Sequence, residues 1–276
     1  MSLAGTSLAT TLLETTVLPT AVLSAGTSPS SAYDNSVPLA EIPALVLPAL
    51  GDTFVMVGIV MAIVVVVGVP LGALIHNIGP AGLTPNAPVH TVLSAVISIG
   101  RSLPFLILMA SIVPFTRFVT GTNIGIAAAV VPMSIAGIAF FTRIVENSLR
   151  SVPSDRVRVA TASGASRLQI VRTAQLSEAL PSLIGGLTIN TIAMIEYSAI
   201  AGTIGAGGIG YVAVTYGYQR FDHAVMIVTI VLLIATVAAV QLLGDAAVRA
   251  TSPEPVARRR WWRRRAADLP PVAAGA

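Results

Sequence analysis

The hydrophobic pattern of this chain consists of five long apolar runs separated by shorter polar segments. They cover about residues 53–75, 89–113, 123–145, 181–204 and 223–248. Each run is close to the roughly 20 apolar residues that a helix needs to cross a bilayer. None of them alternates polar and apolar residues in the way that is typical of a membrane β-barrel. The pattern therefore predicts an all-α polytopic membrane protein with about five transmembrane helices.

Composition supports this class and excludes several kinds of chemistry. Of the 276 residues, 54% are hydrophobic and 10% are charged, which is unlike a soluble domain. The chain has no cysteine, so disulfides, thiolate metal sites and cysteine nucleophiles are excluded. All 16 basic residues are arginine, and a P-loop needs a lysine to reach the phosphates of ATP. We therefore expect no catalytic residue, no metal and no cofactor on this chain.

The distribution of arginine predicts the orientation in the membrane. Arginine is concentrated between the third and fourth runs and again in the C-terminal tail, and two spans separate these regions. By the positive-inside rule both regions face the cytoplasm, which places the N-terminus outside. This basic excess indicates topology in a cell membrane and not nucleic-acid binding.

The two ends of the chain differ from the apolar centre. Residues 1–48 are rich in Ser, Thr and Pro and lack the basic start of a signal peptide. This composition predicts that residues 1–48 form an extracytoplasmic, disordered extension. The alternatives are a short interfacial helix or a sixth span. Residues 250–276 form an Arg- and Pro-rich cytoplasmic tail around Trp261 and Trp262. This tail either fixes the topology as a solvated segment or binds an anionic membrane surface.

The connection between the third and fourth runs is long and amphipathic. Ser154 and Asp155 follow Pro153, which is a favourable start for a helix over residues 155–163. Gly164 then supplies the residue type that most easily ends a helix in the left-handed conformation.

A second helix is predicted directly after this glycine. Ser166 and Gln169 have the spacing of a capping box, and the helix should run to about Leu176. Pro181 is expected to open the fourth span. The sequence thus predicts a cytoplasmic helix–glycine–helix loop, which either docks into a partner protein or lies on the lipid surface.

Residues in this loop and in four further segments carry a family pattern. The segments read GRSLPFLILMASIVPFTRFVTGTNIGIAAAVVP (100–132), ENSL (146–149), YSAIAGTIGAGGIGYVAVTYGY (197–218) and GDAAVR (244–249). In the loop, the pattern is carried by Gly164, Ala165, Gln169, Ile170, Leu180 and Pro181. Together they resemble the permease subunits of ABC importers, and in particular the methionine branch, over a transmembrane domain at residues 49–249.

The resemblance implies a homodimer of permeases that moves methionine or a related amino acid into the cell by alternating access. The implied partners are a cytoplasmic ABC ATPase subunit, an extracytoplasmic substrate-binding protein and a second copy of the chain. The implied coupling residues are Arg158, Gly164, Ala165, Ser166, Gln169, Ile170, Leu180 and Pro181. The implied translocation path or gate involves Arg101, Pro104, Glu196, Tyr197, Ser198 and Ile200.

Three positions depart from the family pattern. Arg158 stands where the family has an acidic residue, and Ser177 stands where a proline is common. Glu196 occupies a position that is usually small. The first of these departures reverses a charge on the surface that the resemblance assigns to ATPase contact.

Two charged residues lie inside apolar runs, where charges are costly and often functional. Arg101 and Glu196 fall at similar depths, so we hypothesise that they form a pair or share a polar network. The alternative is that backbone groups, water or the hydroxyls of Ser102, Tyr197 and Ser198 satisfy them separately.

Other functions are compatible with parts of the pattern. The same architecture serves other small solutes, such as another amino acid or a phosphonate. A proton-coupled carrier that uses Glu196 is a second possibility, although it leaves the cytoplasmic loop unexplained. An intramembrane hydrolase needs a nucleophile–base pair, and no histidine lies at membrane depth. The G-x-G-x-x-G pattern at 205–210 follows a membrane helix, so it does not indicate a dinucleotide site.

Overall fold

The computed structural model describes residues 36–252, and this part of the chain is helical without a strand. Its elements are α1 (Ile42–Ile78), α2 (Ala87–Ser102), α3 (Phe105–Ser111), α4 (Val113–Thr120), α5 (Ile126–Arg150), α6 (Ser154–Ala162), α7 (Arg167–Gln169), a π-helix (Ile170–Leu176), α8 (Ser177–Gly202), α9 (Gly208–Val212), a second π-helix (Ala213–Tyr218) and α10 (His223–Thr251). The predicted all-α class is confirmed.

Four continuous helical stretches in the described residues are long and apolar enough to cross a membrane, and a bent helix pair gives a fifth crossing if it forms one span. The four are Ile42–Ile78, Ile126–Arg150, His223–Thr251 and Arg167–Gly202, which joins α7, the π-helix and α8. The second predicted span, by contrast, is a pair of helices, α2 and α3, that meet at 104°. Pro104 explains the bend, because a proline lacks the N–H of a helix interior and drives the preceding residue out of the helical conformation. Leu103 accordingly has a ψ of 128°, which is extended.

The first helix begins earlier than predicted. It starts at Ile42, inside the segment 1–48 that the sequence suggested to be disordered, and Pro43 occupies its first turn. A proline is favourable there because the N–H groups of the first turn have no partner within the helix. The remainder of that extension before residue 36, and the Arg- and Pro-rich tail after residue 252, lie outside the described residues.

Close approach of small residues holds the three central helices together. A Cβ on Gly72 would lie 2.5 Å from the Cβ of Val145, and one on Gly137 would lie 2.7 Å from a methyl of Val64. In a membrane, such backbone approaches supply the packing that the hydrophobic effect supplies in water. Helices α1, α5 and α8 therefore form a tight core that includes Phe141 and Met194.

Asp222 fastens the start of α10 to the beginning of the described chain. Its carboxylate accepts hydrogen bonds from the N–H of Val225 at 3.0 Å and from the N–H of Val37 at 2.7 Å. Burial alone would raise the pKa of Asp222, but these two bonds and one from the N–H of Ala224 bring the pKa below its ordinary value. The ionised form therefore holds the folded arrangement together.

Acidification should loosen this attachment. Because the folded-state pKa of Asp222 is depressed, the stabilisation is complete above the ordinary value and is lost as the pH falls through the folded value. We expect the hydrogen-exchange protection of the Val37 amide to fall as the pH is lowered below the ordinary carboxyl pKa of about 4. The Asp222→Asn variant keeps an acceptor oxygen but does not titrate, so its protection should lack this pH dependence. If the protection of the Val37 amide depended on pH equally in the wild type and in Asp222→Asn, the pH dependence would not come from Asp222.

Candidate functional site

The hairpin between α5 and α8 is built around Gly164. After α6, Gly164 adopts a φ of +75°, in the left-handed region that glycine favours. Its N–H donates to the carbonyl of Thr161 at 3.0 Å, and the N–H of Ala165 donates to Ala160 at 3.2 Å. These two bonds form a Schellman motif, which ends a helix and turns the chain sharply. The predicted helix end at Gly164 is confirmed.

The second half of the hairpin begins as predicted but continues differently. The N–H of Ser166 donates to Oε1 of Gln169 at 2.8 Å, and the N–H of Gln169 donates to the Ser166 hydroxyl, so the capping box is present. The chain then passes through α7 and the π-helix directly into α8. The expectation that Pro181 opens the fourth span is therefore wrong, because Pro181 lies within α8.

The predicted coupling residues divide into an exposed group and a buried group. Arg158 has 81% of its side chain exposed and makes only a long contact of 3.9 Å with the equally exposed Asp155. Gly164, Ser166, Gln169 and Leu180 are also exposed, whereas Ala165 and Pro181 are half-buried. Ile170 is 3% exposed, so within this chain it packs inward and does not present a surface to a partner.

A pair of buried amides joins the hairpin to α1. Nδ2 of Asn77 donates to Oε1 of Gln175 at 2.9 Å, and Nε2 of Gln175 donates back to Oδ1 of Asn77 at 3.1 Å. Asn77 also donates to the carbonyl of Ala73 at 2.8 Å. Both side chains are less than one tenth exposed. We call this pair the amide clamp; it links the hairpin to the end of a spanning helix.

Removing one amide of the clamp should destabilise the protein more than removing both. Asn77→Leu leaves the Gln175 amide buried without a partner, which costs about 1–3 kcal/mol. The double variant Asn77→Leu/Gln175→Leu replaces both polar groups and should recover much of that loss in a thermal unfolding measurement. Gln241→Leu serves as control, because Gln241 bonds to Asp245 on an exposed face. If the destabilisation of the double variant equalled the sum of those of Asn77→Leu and Gln175→Leu, the two amides would not depend on each other and the clamp would be contradicted.

A buried carboxylate with two arginines lies at the same end of the helix bundle. Glu146 is 2% exposed and contacts Arg143 at 2.5 Å and Arg150 at 2.8 Å. Arg143 also donates to the hydroxyl of Ser98, so the network connects α5 with α2. In the sequence, Glu146 stands out only as part of the family-like segment 146–149. The i+3 and i+4 spacing of the three charges was the signal from which the network could have been inferred.

Two of the predicted gate residues, Pro104 and Tyr197, meet at the bend between α2 and α3. Just after Pro104, the ring of Phe105 stacks on Tyr197 of α8 with centroids 4.3 Å apart and planes within 1°. Ser198 is buried and donates to Ile195 of its own helix, and Ile200 is half-buried. The structure therefore brings Pro104 and Tyr197 together through Phe105, a residue that the sequence analysis did not single out.

The hypothesised pair of Arg101 and Glu196 does not form. Neither residue belongs to the ion pairs found within residues 36–252. The guanidinium of Arg101 lies over the ring of Phe140, 5.7 Å from its centroid, and Glu196 is exposed on the surface of the single chain. A cation–π contact at this distance needs no carboxylate partner.

The glycine-rich loop after α8 closes the opposite end of the bundle. Gly205, Gly207 and Gly208 all have a φ between +76° and +87°, which explains why glycine recurs here. The carbonyl of Gly205 accepts from the N–H of Gly125 at 2.9 Å, and the N–H of Ile209 donates to the hydroxyl of Thr53 at 3.0 Å. The loop is thus a packed cap between helices.

Comparison with known proteins shows the family to which this chain is similar. Residues 68–254 match the family described as binding-protein-dependent transport system inner membrane component. A Vibrio cholerae protein named probable D-methionine transport system permease protein MetI is 45% identical over 74% of this chain and 91% of its own length. A Pasteurella multocida protein of the same name is 40% identical over 70% and 89% of the two chains.

A solved structure has the same fold. One chain of the structure titled "Inward facing conformations of the MetNI methionine ABC transporter" superposes with a TM-score of 0.76 at 36% identity. The match covers 78% of this chain and all of that one. The long hairpin and the bent second span therefore belong to a fold that occurs in an ABC transporter.

Proposed function

This chain belongs to the family of binding-protein-dependent transport system inner membrane components, and we propose that it is the permease subunit of an ATP-driven methionine importer. The observation that carries the proposal is the match to the full length of a methionine transporter chain at 36% identity. As a permease component the chain is a translocation subunit, and ATP hydrolysis belongs to a separate ATPase. It is a multi-pass protein of the inner membrane.

The proposed assembly contains two copies of this chain. Support comes from the methionine ABC transporter in which its structural relative occurs. A separate ATPase subunit is required because the chain has no lysine from which to build a P-loop. The family description further implies an extracytoplasmic binding protein that delivers the solute.

In this assembly the hairpin 154–176 contacts the ATPase. Its exposed residues Arg158, Gly164, Ser166 and Gln169 form the contact surface, while Ile170 and the amide clamp fasten that surface to the bundle. The exposed Leu180 and the half-buried Pro181 complete it. The transmembrane unit extends over residues 49–249, between an extracytoplasmic N-terminal segment and a cytoplasmic tail. This orientation rests on the arginines of the hairpin and of the C-terminal end.

The solute path runs along the bend between α2 and α3. Glu196 and Arg101 are exposed at the surface of the single chain although both lie within apolar helices. Charges in such positions ordinarily face a partner helix or a water-filled cavity. We therefore place Arg101, Pro104, Glu196, Tyr197, Ser198 and Ile200 along the path or its gate, where the two copies face each other.

The test is transport by the reconstituted complex. The chain is incorporated into proteoliposomes with its ATPase and the cognate binding protein, and uptake of radiolabelled methionine is measured with and without ATP. We expect uptake that requires all three components and that unlabelled methionine inhibits. Other amino acids and a phosphonate serve as competitors to define the solute.

Two outcomes would overturn parts of the proposal. Preferred uptake of another competitor would retain the permease but exclude methionine as its solute. Uptake that persists without the ATPase, stops when an ionophore collapses the proton gradient and is absent in Glu196→Gln would identify a proton-coupled carrier instead.

A further inference from the structure

A groove of about 510 Å³ lies between the last turns of α1 and the second half of the hairpin. Val69, Pro70 and Leu74 form its wall on α1, and Leu168, Val171 and Arg172 form the wall on the hairpin. We call it the interfacial groove, because the end of a spanning helix lies at the boundary between the hydrocarbon and the lipid headgroups.

The groove has an apolar interior and one charge. Asn77 of the amide clamp also lines the groove, but its side-chain amide is bonded to Gln175 and to the carbonyl of Ala73, so it offers little to a polar solute. Arg172 is exposed and takes part in no ion pair within residues 36–252. Leu168 is 62% exposed and Leu74 is 49% exposed, although both are apolar. An occupant must therefore offer an apolar chain and, close to it, a negative charge.

We propose that the interfacial groove binds one anionic phospholipid of the surrounding leaflet. An acyl chain fills the space between α1 and the hairpin, and the phosphate of the headgroup lies at the guanidinium of Arg172. Arginine suits this role, since its planar group donates two parallel hydrogen bonds to a phosphate while its stem packs along apolar surface. The lipid would occupy the space beside the amide clamp and so stiffen the connection between hairpin and α1.

Native mass spectrometry of the full-length chain tests the charge requirement. Phosphatidylglycerol and phosphatidylcholine with identical acyl chains are titrated into the detergent-solubilised protein. We expect wild type to retain phosphatidylglycerol at least about fivefold more tightly, and Arg172→Gln to abolish that preference. Arg167→Gln is the matched control, because Arg167 is exposed in the same hairpin but does not line the groove. If Arg172→Gln and Arg167→Gln reduced the preference for phosphatidylglycerol equally, the proposal would be overturned.

A second pair of variants tests the apolar part. Leu74→Trp fills the groove and should weaken both lipids, whereas Val66→Trp places the same ring on an exposed face of α1 outside the groove and should weaken neither.

Photocrosslinking of the wild type locates the lipid without any substitution. Phosphatidylglycerol with a photoreactive acyl chain should label residues 69–77 and 168–176. Labelling spread over all membrane helices, or labelling that disappears when the ATPase subunit is added, would overturn the proposal; the latter result would assign the groove to the ATPase. These measurements do not involve transport, so their failure leaves the proposed import function untouched.

Discussion

Gly164→Pro is expected to abolish ATP-dependent uptake by uncoupling the chain from its ATPase. Proline fixes φ near −65°, whereas Gly164 has a φ of +75°. Proline also removes the N–H that bonds to Thr161 and disfavours the helical conformation of the residue before it. The second half of the hairpin then loses its direction relative to α6. Copurification of the ATPase and uptake in proteoliposomes measure the effect, and we expect both to fall at least about tenfold.

Two controls separate the backbone effect from a general loss of structure. A Cβ at Gly164 would meet nothing within 4 Å, so a side chain there acts only through backbone conformation and through contact with a partner. Gly164→Asn should retain coupling in large part, because asparagine tolerates the left-handed region better than other residues. Gly121 also has a φ of +75° and open space around it, but it follows α4 and lies outside the hairpin.

Gly121→Pro distinguishes a loss of coupling at the hairpin from a general loss of stability. Gly121→Pro imposes the same conformational conflict, yet we expect it to leave ATPase copurification unchanged. If Gly121→Pro and Gly164→Pro reduced copurification equally, the loss would reflect general destabilisation and the hairpin would not be the coupling element.

Sequence reasoning predicted the features of this chain that depend on local chemistry. The apolar runs gave four of the membrane helices, and the left-handed Gly164 and the Ser166–Gln169 capping box follow from residue types at fixed spacing. These features need no knowledge of what packs against them. The bend at Pro104 also has a local cause, the proline itself, and a kink near it is predictable from sequence, whereas the angle of 104° depends on what packs against the two helices.

Features that depend on distant residues were not predictable in this way. Asn77 and Gln175 are 98 positions apart, and neither belongs to a pattern that reveals its partner. The proposed Arg101–Glu196 pair illustrates the converse error, because similar depth in the membrane does not place two side chains on facing helix surfaces. Continuity through Pro181 was missed because the preceding π-helix carries the hairpin directly into α8.

Glu146→Ala is expected to be the most destabilising single substitution of a charged residue in the described chain. It removes the carboxylate that two arginines share and leaves Arg143, which is 25% exposed, with only the Ser98 hydroxyl. Breaking a buried pair in this way costs about 3 kcal/mol or more, because the remaining charge stays poorly solvated. Arg150 contributes less, since its side chain is 66% exposed and reaches water when the pair is lost. Thermal unfolding of the purified complex in detergent measures the loss.

The matched control is a second glutamate in a more exposed pair. Glu178 contacts Arg156 at 3.6 Å, with 35% and 65% of the two side chains exposed, so Glu178→Ala should cost less than about 1 kcal/mol. The double variant Glu146→Leu/Arg143→Met removes both buried charges and should recover most of the stability that Glu146→Ala loses. Glu146→Leu alone fills the same space but leaves Arg143 without its carboxylate. Stability recovered only in the double variant would therefore establish that the penalty comes from the stranded charge and not from an empty space in the core. Equal unfolding temperatures for Glu146→Ala and Glu178→Ala would instead mean that water reaches Glu146, which contradicts its 2% exposure in the fold.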